Sequence, residues 1–171
     1  FRFEKVMPKF LKITLLVAIA LVVIGFIYLK SKAANDGDLA PEINVDLVDG
    51  SNFKLSDLQG DYVLLSFWGS WCGPCRVKSP ALVDFHQKYK SKLKIVSVAL
   101  EKDAKAGFAA AKQDGFTWKY QIVEESQFVM LSSTAQDYGV SSIPTMFLIS
   151  PEGILLGEKS LSEVQEILTK T

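Results

Sequence analysis

Residues 62–75 read YVLLSFWGSWCGPC. Tyr62 to Trp68 is an almost unbroken run of aliphatic and aromatic side chains, the composition of a strand buried on both faces. Gly69 and Ser70 interrupt it, and Trp71-Cys72-Gly73-Pro74-Cys75 opens a stretch with helical spacing. From Cys72 to about Tyr89 the residues Val77, Ala81, Leu82, Phe85 and Tyr89 fall on one apolar stripe, with a kink expected at Pro80. A buried strand that runs straight into a helix opening on Cys-x-x-Cys is the context of a redox pair. Cys72 falls at the helix N-terminus, where unpaired N–H groups and the helix dipole favour an anion. Its thiol pKa is therefore expected below the free value of about 8.5. Cys75 lies one turn further in, less exposed and close enough to close a disulfide. Pro74 suits a first helical turn, where no N–H is required.

The surrounding sequence alternates strands and helices. Glu42 to Leu55 holds two short alternating runs around Asp49-Gly50, a hairpin signal. Leu93 to Leu100 is a second buried strand, and Ala104 to Asp114 is a helix ended by Gly115. Tyr120 to Val123 is a short strand, and Thr134 to Tyr138 a short helix closed by Gly139. Thr145 to Ile149 and Ile154 to Glu158 form a hairpin across Pro151-Glu152-Gly153. Ser162 to Lys170 is a final helix, with Ser162 expected as its N-cap. This order predicts an α/β domain, a sheet with helices on its faces.

Nineteen Lys and Arg balance nineteen Asp and Glu over 171 residues, which argues against a general nucleic-acid binder. The balance conceals an asymmetry. Residues 1–34 carry six bases and one acid, net +5, and the rest of the chain is net −5. From Ile13 to Leu29 the chain reads ITLLVAIALVVIGFIYL, 17 residues without a charge. With the flanking Phe10, Leu11 and a snorkelling Lys12 this approaches the ~20 residues that span a bilayer. The expected organisation is a cytoplasmic N-terminus and transmembrane signal anchor over residues 1–32, a linker over 33–40, and a folded domain over 41–171. A cleaved signal peptide, cut at Ser31-Lys32-Ala33, is the competing reading. Four bases precede the span and two follow it, which places the folded domain on the extracytoplasmic side.

Two cysteines are too few for a disulfide scaffold or a four-ligand zinc site. The only histidine, His86, lies three turns beyond Cys75 on the expected helix, too far to share a metal, and reads as a surface or groove residue. No metal and no cofactor is expected.

Ser66-Phe67-Trp68-Gly69-Ser70-Trp71-Cys72-Gly73-Pro74-Cys75 resembles the active-site segment of thioredoxin-like proteins. The leading hairpin and Leu55-Ser56-Asp57-Leu58-Gln59-Gly60 resemble the membrane-anchored, extracytoplasmic TlpA/ResA type, and Ser142-Ile143-Pro144-Thr145 resembles the cis-proline loop of that superfamily. The resemblance covers about Pro41 to Leu168. It implies a thioredoxin fold, a central mixed sheet flanked by helices, with an extra N-terminal hairpin. It implies Cys72 as attacking and Cys75 as resolving thiol within the loop of Trp71, Gly73 and Pro74. It also implies a cis Pro144 facing the disulfide, with backbone beside Ile143 holding a partner segment. The implied activity is protein-disulfide reduction outside the cytoplasm, for example in cytochrome c maturation, recharged by a transmembrane electron donor.

Two positions depart from the pattern. Ser66 stands where thioredoxins carry a buried Asp, and Lys78 where many ResA-like proteins carry Glu, so the proton acceptor for Cys75 is unassigned. Glu101, at the end of the second buried strand, is a candidate, against an exposed strand-end acid. Lys78 reads as a solvated helix residue. Two rival functions remain: a peroxiredoxin-like enzyme, whose Pro-x-x-x-Thr/Ser-x-x-Cys context is missing here, and a non-enzymatic membrane-bound assembly module with a structural disulfide.

Overall fold

A computed structural model describes residues 9–30, 33–47, 50–126 and 128–170. The chain divides into two units, at Ala33 and Ala34. In the first, α1 (Lys9–Lys30) exposes apolar side chains from Phe10 to Ile24. Among the described residues no helix is long and apolar enough to cross a membrane.

The second unit holds the predicted α/β order. β1 (Asn44–Asp46) and β2 (Asn52–Lys54) form a two-stranded hairpin, followed by a 3₁₀ turn at Leu55–Leu58. The main sheet contains β3 (Tyr62–Trp68), β4 (Leu93–Leu100), β5 (Tyr120–Glu124), β6 (Thr145–Ile149) and β7 (Leu155–Glu158), in the order β5-β4-β3-β6-β7. β3 and β4 are parallel, as are β4 and β5, whereas β6 is antiparallel to both β3 and β7. The parallel crossovers are α2 (Gly73–Tyr89) and α3 (Ala104–Gln113). α4 (Ser133–Asp137) and α5 (Leu161–Lys170) complete the domain.

The run at β3 explains why both faces are covered. Val63, Leu65 and Phe67 point into one core, with Val96, Val98, Phe147, Tyr138 and the hairpin's Phe53. Leu64 and Trp68 point into the other, with Leu82, Phe85 and Tyr89 of α2 and Val164 and Leu168 of α5. Period-two alternation on a strand between two packed layers calls for apolar residues at almost every position, Ser66 being the buried exception in β3. Leu64, Leu65 and Phe67 are fully buried, each worth about 2–3 kcal/mol of transfer free energy.

Three expectations need correction. The buried stripe of α2 is Cys75, Ser79, Leu82, Phe85 and Tyr89, while Val77 and Ala81 are exposed. Cys75 sets the phase of that stripe, because its sulfur must reach the sheet end. Pro80, where a kink is expected, lies within α2. Residues 34–40, expected as a linker, are tied to the domain. Ala34 N–H donates to Asp137 O, Gly37 N–H to Leu155 O and Ala40 N–H to Gly153 O, while Asp38 O accepts from Leu155. Small and polar side chains let this backbone approach β7 closely; at Gly157 a Cβ would collide with the Asp36 carboxylate.

The N-cap of α5 is Ser160 and not Ser162. Ser160 N–H and Oγ donate to the Glu163 carboxylate, and Ser160 Oγ accepts from Glu163 N–H. This is a capping box over Ser160-Leu161-Ser162-Glu163.

Candidate active site

The register of the central strands assembles the site. Phe67 pairs with Thr145 across the antiparallel β3–β6 ladder, so the start of β6 lies beside the end of β3. The segment entering β6 is Ile143-Pro144, joined by a cis peptide bond, and the segment leaving β3 is Gly69-Ser70-Trp71-Cys72. Two stretches some seventy residues apart are thereby brought together, with Cys72 Sγ 3.8 Å from Ile143 O.

Cys72 and Cys75 are disulfide-bonded, Cα atoms 5.2 Å apart. Cys72 is the N-cap of α2, and its sulfur accepts from Cys75 N–H at 3.2 Å. In the reduced protein the same N–H and the positive helix end face a Cys72 thiolate. The oxidised sulfur carries no hydrogen, so its approach to Ile143 O is a contact; a reduced thiol could donate there. Pro74 lies in the first turn of α2, exposed together with Gly73. Both cysteines are largely buried, at 6% and 4% exposure, while Trp71 beside them is 46% exposed.

Trp71 is held by its indole, whose Nε1–H donates to Leu100 O at 2.8 Å. Gly69 makes room for this ring: a Cβ there would stand 2.8 Å from Trp71 Nε1 and 3.1 Å from Leu100 O. Ser70, between them, donates both its N–H and its hydroxyl to the carboxylate of Glu101. Glu101 is 2% exposed. It is therefore no solvated strand-end acid, and its described hydrogen bonds go to Ser70 and not to Cys75.

A second set of polar bonds braces the opposite side of the helix start. Arg76 donates twice to Asp114, at 2.6 Å each, and to Ser70 O at 3.4 Å. The Asp114 hydrogen bond, opposed by burial and helped by the nearby charges of Asp114 and Glu101, holds the Arg76 guanidinium pKa above its usual value. Ser79 Oγ donates to Asp114 at 2.9 Å and also lies 3.2 Å from Cys75 O.

Behind the disulfide lies a cavity of about 620 Å³ whose walls include Ser66, Trp68, Cys75, Lys78, Phe116 and Pro144. Ser66 is buried and Lys78 exposed at its rim. Trp68 Nε1 is buried there without a partner in the described structure. His86 stands away from the disulfide, half-buried edge-on to Trp118 with ring centroids 5.4 Å apart. Burial, and secondarily Lys90, lower its pKa. Among the described residues no group of three or more His, Cys, Asp and Glu is placed to hold a metal.

Sequence reasoning singles out Cys72, Cys75, Trp71, Gly73, Pro74, Ile143 and Pro144, and the structure brings the two segments that carry them together. It missed the Ser70–Glu101 and Arg76–Asp114–Ser79 bonds, because each joins residues about thirty or more positions apart.

The AhpC/TSA family model matches residues 37–157, most of the chain. The chain belongs to the AhpC/TSA family. The chain is 30% identical over 142 residues to the thiol-disulfide oxidoreductase ResA of Bacillus subtilis (strain 168), covering 82% of this chain and 76% of that protein. The thioredoxin-like protein YneN of the same organism is 30% identical over 129 residues, covering 74% and 72%. Among solved structures, a thiol-disulfide oxidoreductase from Bacteroides fragilis NCTC 9343 superposes with a TM-score of 0.68 at 25% identity, covering 78% of this chain and all of that one. The fold is thioredoxin-like.

Proposed function

We propose that this thiol–disulfide oxidoreductase reduces disulfides of proteins outside the cytoplasmic membrane through Cys72 and Cys75. The observation that carries the reading is the Cys72–Cys75 pair at the N-terminus of α2 with Cys72 Sγ against the Ile143 carbonyl. In the reduced protein the Cys72 thiolate attacks one sulfur of a partner disulfide. The partner's other sulfur leaves as thiolate and takes a proton from solvent, and a mixed disulfide remains. Cys75 then loses its proton and attacks Cys72 Sγ. The second partner sulfur leaves, and the Cys72–Cys75 disulfide forms. Two electrons pass from the dithiol to the partner. Ile143 and Pro144 would hold the partner's segment by strand-like backbone bonds. The Gly73-Pro74 dipeptide adds no charge and no side-chain hydrogen bond to hold the thiolate, which favours a reductant over a strong oxidant.

The uncharged run from Ile13 to Leu29 and its basic flank support an N-terminal anchor in the cell membrane, a single span with the domain on the extracytoplasmic side. A reductant there must be recharged from within, so the donor we propose is a transmembrane electron carrier. The acceptors are disulfide-bearing extracytoplasmic proteins, apocytochrome c among them. The name ResA on a relative supports the enzyme reading over a non-enzymatic assembly module. The segment before Cys72 lacks the Pro-x-x-x-Thr/Ser-x-x-Cys context of a peroxiredoxin: Leu65 and Gly69 stand where Pro and Thr/Ser would be.

The test is dithiothreitol-driven insulin reduction by the full chain in detergent, followed by equilibration of the protein with dithiothreitol. Turnover and a potential near about −270 mV are expected. No turnover would defeat the enzyme reading, and a potential above about −150 mV would defeat the reductant direction alone.

A further inference from the structure

Two consecutive residues at the end of β4 receive the loop that carries the attacking cysteine. Leu100 O accepts from the Trp71 indole, and both oxygens of Glu101 accept from Ser70, one from the N–H and one from the hydroxyl. Ser70 and Trp71 are the residues immediately before Cys72. A carboxylate buried to 2% exposure is costly unless it is fully bonded. Here both oxygens are turned onto a single residue of the active-site loop.

The acceptor is itself immobilised. Glu101 N–H donates to Glu124 O of β5 at 3.0 Å. Gly107 of α3 lies directly over the side chain, where a Cβ would stand 2.9 Å from Glu101 Cγ. On the far side of the loop, Arg76 reaches Ser70 O. The two peptides flanking Ser70 are thus both held, its N–H by Glu101 and its C=O by Arg76.

We infer that Glu101 is a positioning residue for Cys72, anchoring Ser70 so that the sulfur stays on the N-terminus of α2 and in line with a partner docked at Ile143. The inference rests on the exchange reading above. It assigns Glu101 a role distinct from accepting the Cys75 proton, since its oxygens face Ser70. Without the carboxylate, Ser70 N–H and its hydroxyl lose their acceptor, and the loop can rotate with Trp71 and Cys72 on it. A misplacement of about 1 Å at a reacting atom lowers a rate by about a hundredfold, so a partial loss of order should cost tenfold or more.

The experiment compares Glu101→Ala, Glu101→Gln and Leu155→Ala in the full chain in detergent. Leu155 is buried in the core on the other face of the sheet and serves as a stability-matched control. The readouts are unfolding free energy, the mass-mapped rate of Cys72 alkylation in the reduced protein, and kcat and KM for insulin. Glu101→Ala should lower kcat about tenfold or more with a smaller change in KM, and Gln, which keeps an acceptor for Ser70 N–H, should restore most of it. Leu155→Ala should lose stability with kcat within about twofold of the parent. Should Glu101→Ala fail to fold, Ser70→Ala deletes only the hydroxyl bond and should lower kcat severalfold. A Glu101→Ala rate within about twofold of the parent, or a fall matched by Leu155→Ala, would overturn the inference. In the fallback arm, an unchanged Ser70→Ala rate does the same. An inactive parent protein would instead refute the exchange reading itself.

Discussion

Replacing Gly69 with alanine tests how the site holds Trp71. The added Cβ would enter the gap between the indole and the end of β4, 2.8 Å from Trp71 Nε1, 3.0 Å from Trp71 Cε2 and 3.1 Å from Leu100 O. The Trp71–Leu100 hydrogen bond crosses that same gap. Gly69 has no positive φ, so alanine strains no backbone there, and the cost is purely one of space. Leu100 O belongs to a central strand and cannot retreat, so the ring must swing outward. The loss is one hydrogen bond, about 1 kcal/mol, plus part of the packing of a half-exposed indole, for a total of about 2 kcal/mol. Urea unfolding of the oxidised protein gives the stability change. Acrylamide quenching should rise, since Trp71 is the exposed indole while Trp68 and Trp118 are buried. The decisive comparison is a cycle with Trp71→Phe, which removes Nε1 and narrows the ring. In that background Gly69→Ala should cost less than half as much. An undiminished penalty would show that the alanine clashes with something other than the indole and would refute the reasoning.

Cys75→Ser should accumulate a mixed disulfide between Cys72 and a partner, visible on non-reducing gels, because the resolving attack is gone; recovery of free Cys72 alone would argue against the assigned roles. Ser160→Ala should lower stability by about 1 kcal/mol through loss of the α5 cap. The Ser160 bonds hold the Glu163 pKa below 4.5 in the folded state. This contribution is therefore present above 4.5 and fades as pH falls through the lower folded value. The stability of Ser160→Ala should thus depend less on pH in that acid range, and identical slopes would contradict the capping box. His86→Phe keeps the ring against Trp118 and removes the unpartnered Nδ1, which predicts a gain of about 1 kcal/mol. Because burial lowers the His86 pKa from 6.5, the parent should lose stability as pH drops below 6.5, and this component should be missing in His86→Phe.

The elements of the domain were legible because their signals are local: the doubly buried composition of β3, the glycines after α3 and α4, and the turn at Pro151-Glu152-Gly153. The cysteine pair was legible for the same reason, and Ile143-Pro144 through family resemblance. The phase of α2 is not legible from apolar spacing alone. Ser79 is buried there with its hydroxyl between Cys75 O and Asp114, and Val77 is left outside. Glu101 does not read as a buried anchor in the sequence, because nothing in its neighbourhood announces Ser70 thirty-one residues earlier. The Ser160-x-x-Glu163 spacing of a capping box is present in the sequence, with Ser162 a competing serine two residues on.

The pairing of residues 37–40 with β7 has a practical consequence. β7 is the last strand on its side of the sheet, and its outer row of N–H and C=O groups is one on which a foreign strand could add. Leu39 bridges Ile154 antiparallel, and the neighbouring backbone bonds occupy Gly153 and Leu155. The chain therefore covers the start of its own border, at Gly153 to Leu155, against accretion. A fragment begun at Pro41, where composition alone would start the domain, would leave that stretch bare too and should self-associate on concentration more readily than one begun at Ala34.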